Sequence, residues 1–152
     1  MPSHPVVTFD FAQALTSLLK ILVTYLLTFP IGWEREQEAH SVGVRTFPIV
    51  AIASCSYVLL VSADPSNQSR VLQGLITGIG FVGGGAIVKD GTTVRGTATA
   101  ASIWGTGVVG AAVAMGRYEI AVILSALNLV TLRVLWRYKQ KLDLKTPPRE
   151  GA

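Results

Sequence analysis

The chain has 152 residues, half of them hydrophobic and only 14% charged, with a mean hydropathy of +0.49. An ordinary soluble domain carries charge on roughly a quarter of its residues, so this composition excludes a water-covered globule of that length and predicts a chain solvated by lipid. The net charge of +4 does not point to nucleic acid, because Arg133, Arg137, Lys139, Lys141, Lys145 and Arg149 crowd into the last twenty residues, as at a cytoplasmic membrane flank.

A bilayer-crossing helix needs about 20 mostly apolar residues, and five such runs follow in order. They are predicted at 11–32, 47–63, 71–88, 98–115 and 119–136. The fold class read from them is an all-α integral membrane bundle of five transmembrane helices. A lead of residues 1–10 precedes it, and a basic cytoplasmic tail of residues 137–152 follows. Asp10 is placed to cap the first helix, Thr46 and Pro48 to open the second, and Glu119 to lie in the first turn of the fifth. Pro30 is expected to bend the end of the first helix. The lead lacks a basic n-region, so the first span is expected to be retained rather than cleaved.

Orientation follows from counting Lys and Arg by side. Loops 33–46 and 89–97 with the tail hold Arg35, Arg45, Lys89, Arg95, Arg137, Lys139, Lys141, Lys145 and Arg149, against Arg70 and Arg117 on the other side. The N-terminus is expected outside and the C-terminus in the cytoplasm.

Two glycine patterns need a reading. Gly78, Gly80 and Gly83, and again Gly105, Gly107 and Gly110, spell Gly-x-Gly-x-x-Gly. Both lie inside apolar runs, without the preceding strand and following acid of a dinucleotide site, so no nucleotide cofactor is expected. In lipid, small residues let helix backbones approach, and Gly74, Gly78, Gly80, Gly83, Gly84 and Gly85 on the third span, with Gly105, Gly107 and Gly110 on the fourth, are read as packing faces. The surplus small-residue surface is expected to bring a second copy into contact, making a homo-oligomer. The alternative is unwound backbone lining a path, since so many glycines weaken a helix.

Lys20 lies mid-span, either as a functional intramembrane charge or as a lysine that snorkels or bonds a neighbouring helix. Cys55, alone in an apolar run, reads as a small buried hydrophobe. His4 and His40 have no second ligand at metal-binding spacing, so no metal site is expected.

The predicted topology brings two charged loops to one membrane face. Glu34, Arg35, Glu36, Glu38 and Arg45 come from the first, and Lys89, Asp90 and Arg95 from the second. Balanced charges there fit either an interlocking structural clasp or a site for an anion, a nucleotide phosphate or an acidic partner segment, with carboxylates able to hold a divalent cation through water. No nucleophile with a base can be assembled, so no enzyme is expected.

Read in order, Gly32-Trp33-Glu34-Arg35-Glu36, Gly43-Val44-Arg45-Thr46, Gly78-Ile79-Gly80-Phe81-Val82-Gly83-Gly84-Gly85, Lys89-Asp90-Gly91, Val94-Arg95-Gly96 and Thr99-Ala100-Ala101 resemble the MgtC/SapB family from about residue 12 to residue 136. Trp33, Phe47 and Gly105 depart from residues common there. The resemblance implies a bacterial inner-membrane protein of five spans, linked to magnesium limitation and in some pathogens to survival inside host cells. Its best-known member is a regulator, including of the F-type ATP synthase. Only residues 137–152 follow Trp136, so the soluble C-terminal domain of the virulence-associated members is expected to be missing. The expected function is therefore a non-enzymatic, regulatory protein that binds a membrane-protein partner. The alternative is a transporter or channel for a small solute or ion such as Mg²⁺.

Overall fold

The computed structural model describes residues 10–37 and 42–135. The basic tail 137–152, the lead before Asp10, Glu38 and His40 lie outside the described residues. Five helices make up most of what is described: α1 (Phe11–Gln37), α2 (Thr46–Leu60), α3 (Pro65–Gly84), α4 (Thr97–Ala114) and α5 (Tyr118–Val130), the last continued by a π-helical turn, Thr131–Leu135. Between α3 and α4 stand two short antiparallel strands, β1 (Val88–Asp90) and β2 (Thr93–Arg95). Of the helices, α1 and α4 are long and apolar enough to cross a bilayer, and α2 is a shorter apolar helix.

Local chemistry sets the ends. The Asp10 carboxylate accepts the Ala12 and Gln13 N–H groups at 2.9 and 3.2 Å, which opens α1. Instead of ending near residue 32, α1 runs through Pro30 to Gln37. Proline removes one donor from the ladder, but Ile31, Gly32 and Arg35 beyond it are buried, and packing holds the helix together. Glu34, Arg35 and Glu36 therefore sit on a helix and not on a loop.

The third helix starts at Pro65, ahead of the predicted 71, because Asp64 caps it, accepting the Ser66 and Asn67 N–H groups at 3.0 and 3.3 Å. It stops at Gly84, where the predicted span ran on to 88. Glycines 83 to 85 weaken the helix there, and the chain turns into β1 instead. The five helices agree with the expected all-α fold class, and residues 88–95 add to them one short hairpin with register Val88 to Arg95, Lys89 to Val94 and Asp90 to Thr93. Gly91, with φ +58°, stands first in its two-residue loop, the place where such hairpins want a left-handed residue. Gly96, with φ +87°, carries the chain into α4, and any Cβ there would run into the Ala86 carbonyl oxygen.

The bundle is organised on α4, which packs against α1, α2, α3 and α5 and is buried along most of its length. One core cluster joins Cys55, a free thiol, to Val58, Val109, Val113 and Ala121. A second joins Ile31, Phe47, Ile103 and Leu132. Interior hydroxyls are mostly spent on the turn before them: Thr24, Thr28, Ser54 and Thr106 each donate to a carbonyl four residues back at 2.8–2.9 Å. Across helices, the Ser102 hydroxyl donates to Asn128 Oδ1 at 2.5 Å while Asn128 Nδ2 donates to the Ser102 carbonyl at 3.2 Å. The Ser125 hydroxyl donates to the Leu27 carbonyl at 2.6 Å.

The structure divides the glycines expected at packing faces. A Cβ on Gly110 would collide with the Ala51 carbonyl of α2, and one on Gly107 with the Ile79 side chain of α3. At Gly83 it would lie 3.1 Å from the Ala100 carbonyl, and at Gly105 3.5 Å from Asn128 Nδ2. Gly85 meets only the preceding turn of its own helix. At Gly74, Gly78, Gly80 and Gly84, by contrast, a Cβ would meet nothing within 4 Å, so these four close no helix contact inside the chain. Only α3 keeps so much of its surface uncovered: among its described residues, Gly83 alone is buried.

Candidate functional site

The end of the bundle where α1 finishes and α4 begins gathers the charged residues. Arg35 is buried, 4% exposed, and its Nη2 donates to the Thr99 hydroxyl at 2.6 Å, locking the last turns of α1 to the first turn of α4. A guanidinium tolerates so closed a place when its fork of donors reaches a neighbouring helix, as it does here at Thr99. One residue earlier, Glu34 faces the opposite neighbour, its carboxylate 3.7 Å from Arg133 Nε in the π-helical turn.

Glu36 closes the connection to α2. Its carboxylate accepts the Val44 N–H at 3.0 Å, and the returning chain passes so near that a Cβ on Gly43 would strike that carboxylate. Gly32 gives further clearance, since its Cβ would lie 3.0 Å from Val44 Cα. The Gly43 carbonyl then accepts the Thr46 N–H at 3.0 Å, so the loop delivers Arg45 to the N-cap of α2 with its side chain exposed and making no cap bond.

On the other motif segment, Lys89, Asp90 and Arg95 are exposed on the hairpin. Strand pairing puts Lys89 beside Val94 on one face, and Asp90 with Arg95 on the other. Among the described residues, the hairpin charges form no ion pair with Glu34, Glu36 or Arg45, and Glu38 of the expected clasp lies outside those residues. The two-residue loop turns the hairpin back on itself and leaves Lys89, Asp90 and Arg95 exposed. The joints across helices are made by Thr99 and Arg133 instead.

Lys20 lies at the far end of the same helix pair, where its Nζ donates to the Ala114 carbonyl at 2.8 Å, on the last residue of α4. The unsatisfied carbonyls and the negative end of the helix dipole make this a favourable place for an ammonium. Among the described residues, no three His, Cys, Asp or Glu side chains gather as a metal site would need.

Sequence reasoning missed Thr99 as the partner of Arg35 and Asn128 as a crosslink to Ser102. Asn128 had a legible signal, an amide inside an apolar run, where a side chain must find a partner. The Arg35–Thr99 bond had none, because a hydroxyl near a helix start reads first as a local cap.

The region that holds these contacts is also the region shared with known proteins. Residues 21–141 match the family model of the MgtC family. The chain is 35% identical over 116 residues to uncharacterized protein slr0014 of Synechocystis sp., covering 75% of this chain and 50% of that protein. It is 34% identical over 131 residues to Protein MgtC of Brucella abortus (84% and 54%). With Protein MgtC of Salmonella choleraesuis the identity is 29% over 135 residues (88% and 58%). The chain thus spans about half the length of these curated relatives. No solved structure matches it. Because the family match runs from within α1 to beyond the π-helical turn, taking in both charged segments and the Gly-rich end of α3, the chain belongs to the MgtC family.

Proposed function

We propose that this chain is a five-span bacterial inner-membrane protein, N-terminus outside and tail in the cytoplasm, that acts without catalysis as a regulator under magnesium limitation. It does so by binding another membrane protein through its cytoplasmic end. Family membership, and relatives named MgtC, support the link to magnesium. The membrane placement is supported by two helices long and apolar enough to span, and by the basic residues Arg45, Lys89, Arg95 and Arg133 at one end of the bundle.

The observation that carries the partner-binding reading is a contrast at that end. Glu34, Arg35 and Glu36 are committed to contacts within the fold, whereas Arg45, Lys89, Asp90 and Arg95 are exposed and, among the described residues, engaged with nothing. Free charges on a short, rigid hairpin suit recognition of an oppositely charged segment. The interior favours this over Mg²⁺ conduction. Dehydrating that ion calls for oxygen ligands, and the buried groups described include no carboxylate, while most interior hydroxyls already donate to backbone.

Affinity purification from native membranes tests the reading. A stoichiometric membrane-protein partner is expected, lost on Arg45→Ala or Arg95→Ala at unchanged abundance, since neither side chain supports the fold. Recovery of no partner, or equal recovery with both variants, refutes it.

A further inference from the structure

We infer that the groove between α3 and α4 holds one acyl chain of an ethanolamine phospholipid, whose phosphate and ammonium rest on the Arg117–Glu119 pair at its mouth. The groove encloses about 350 Å³, and Arg117 is the one charged residue in its lining. That size and composition fall within the ~300–1,000 Å³, mostly apolar clefts that hold small ligands.

Residue size makes the trough. On α4, Gly107 and Ala111 form a floor with almost no side chain, and Leu75 and Ile76 of α3 stand beside it. At the inner end Ile79 lies over Gly107, where a Cβ would strike its Cδ1, and Trp104 is the deepest residue of α4 in the lining. The other end opens at the turn from α4 into α5, beside Met115 and Arg117.

The length of the groove decides its occupant. From Trp104 to Met115 is eleven residues, about 16 Å of helical rise. A hydrocarbon layer is ~30 Å thick, so the groove is as deep as one leaflet. A transmembrane partner helix would need the trough to continue through the other half, whereas an acyl chain ends where its leaflet does.

The mouth selects the headgroup. Arg117 Nε donates to Glu119 Oε1 at 2.5 Å, and both side chains remain more than half exposed. The two Nη groups of Arg117 bond nothing among the described residues and offer the planar donors that suit a phosphate. Beside them the Glu119 carboxylate has lone pairs for a primary ammonium. An ethanolamine headgroup carries both charges a few bonds apart and meets both residues at once. A choline has no N–H to donate, and a glycerol headgroup brings no cation for Glu119. Tyr118, exposed between the pair, is an aromatic of the type that lies at headgroup depth. The groove of about 440 Å³ between α2 and α3 has no charged residue in its lining, so nothing there fixes a headgroup.

The inference rests on the membrane placement proposed above, and not on the partner protein. Native mass spectrometry tests it, on the full chain extracted in mild detergent and offered equal amounts of phosphatidylethanolamine, phosphatidylcholine and phosphatidylglycerol. One phosphatidylethanolamine per chain is expected to be retained, about three- to tenfold above either competitor, as a charge-assisted contact at an exposed site provides. Ala111→Leu, which fills the floor, should cut retention roughly tenfold. Gly74→Leu, with open space in the other groove, should leave it unchanged. Arg117→Gln combined with Glu119→Gln should erase the preference among headgroups.

A membrane-bound chain that keeps no lipid, or keeps all three equally, overturns the inference and leaves the placement standing. So does loss of the lipid in Gly74→Leu, indifference to Ala111→Leu, a preference that survives the double Gln variant, or a polypeptide retained in place of lipid. Should Ala111→Leu fail to accumulate, the headgroup preference and its loss in the double variant decide. A chain recovered from the aqueous fraction without detergent removes the membrane, and the inference falls with it.

Discussion

Two glycine-to-alanine substitutions of identical chemistry should change stability in opposite directions. At Gly110 the added Cβ overlaps the Ala51 carbonyl and stands 2.9 Å from its carbon and 3.1 Å from the Cys55 nitrogen. All three are backbone atoms of a helix and cannot rotate away, so α2 and α4 must separate by roughly 1 Å, an overpacking that costs about 1–3 kcal/mol. Alanine returns about 1 kcal/mol of helix propensity, leaving a net loss of up to about 2 kcal/mol. At Gly78 nothing lies within 4 Å, so only the propensity gain remains, and the variant should be more stable by about 0.5–1 kcal/mol. Reversible unfolding in mixed micelles, following helical ellipticity against denaturing detergent, measures both. Equal shifts of the same sign, or a Gly110→Ala chain as stable as the parent, would refute the tight α2–α4 crossing.

Thr99→Val keeps shape but removes the acceptor of a buried guanidinium, and should destabilise by about 1.5–3 kcal/mol in the same assay, with Thr99→Ser largely restoring it. A third prediction concerns acid. The Ser66 hydroxyl, and then the Asn67 N–H, hold the Asp64 carboxyl below the ordinary carboxylate range. A depressed folded-state value means that the cap contributes fully above that range and is lost as pH falls through the lowered value. Amide exchange in the first turn of α3, corrected for intrinsic rate, should therefore be flat from about pH 7 to 5 and lose protection below about pH 4. In Asp64→Asn that pH dependence should vanish.

How far the sequence could be read depended on the range of the forces involved. Apolar runs located all five helices, because burial is dictated residue by residue, and Asp10 marked its own cap. The end of α1 was misjudged because Pro30 is a local signal, while Ile31 and Arg35 are held by distant neighbours. The hairpin hid in a short stretch, where Gly91 and Gly96 matter for φ angles that no hydropathy pattern records. For the charged segments the membership was legible and the pairing was not. Which carboxylate meets which cation depends on helix rotation, and that placed Glu34 on Arg133 rather than on the hairpin. The glycine stripes were equally visible, but whether each touches a helix or faces outward is a property of the assembled bundle.

The two cations of α1 act together as a ruler. Lys20 and Arg35 are fifteen residues apart, and so are their partners, Ala114 and Thr99, on antiparallel α4. Each interval is about 22 Å of helix, so the two helices are pinned at both ends and cannot slide by a turn without losing both contacts. The first nine residues of α1, Phe11 to Leu19, lie beyond the Lys20 pin, so the helix is longer than the pinned interval and a tilt of α1 carries α4 with it.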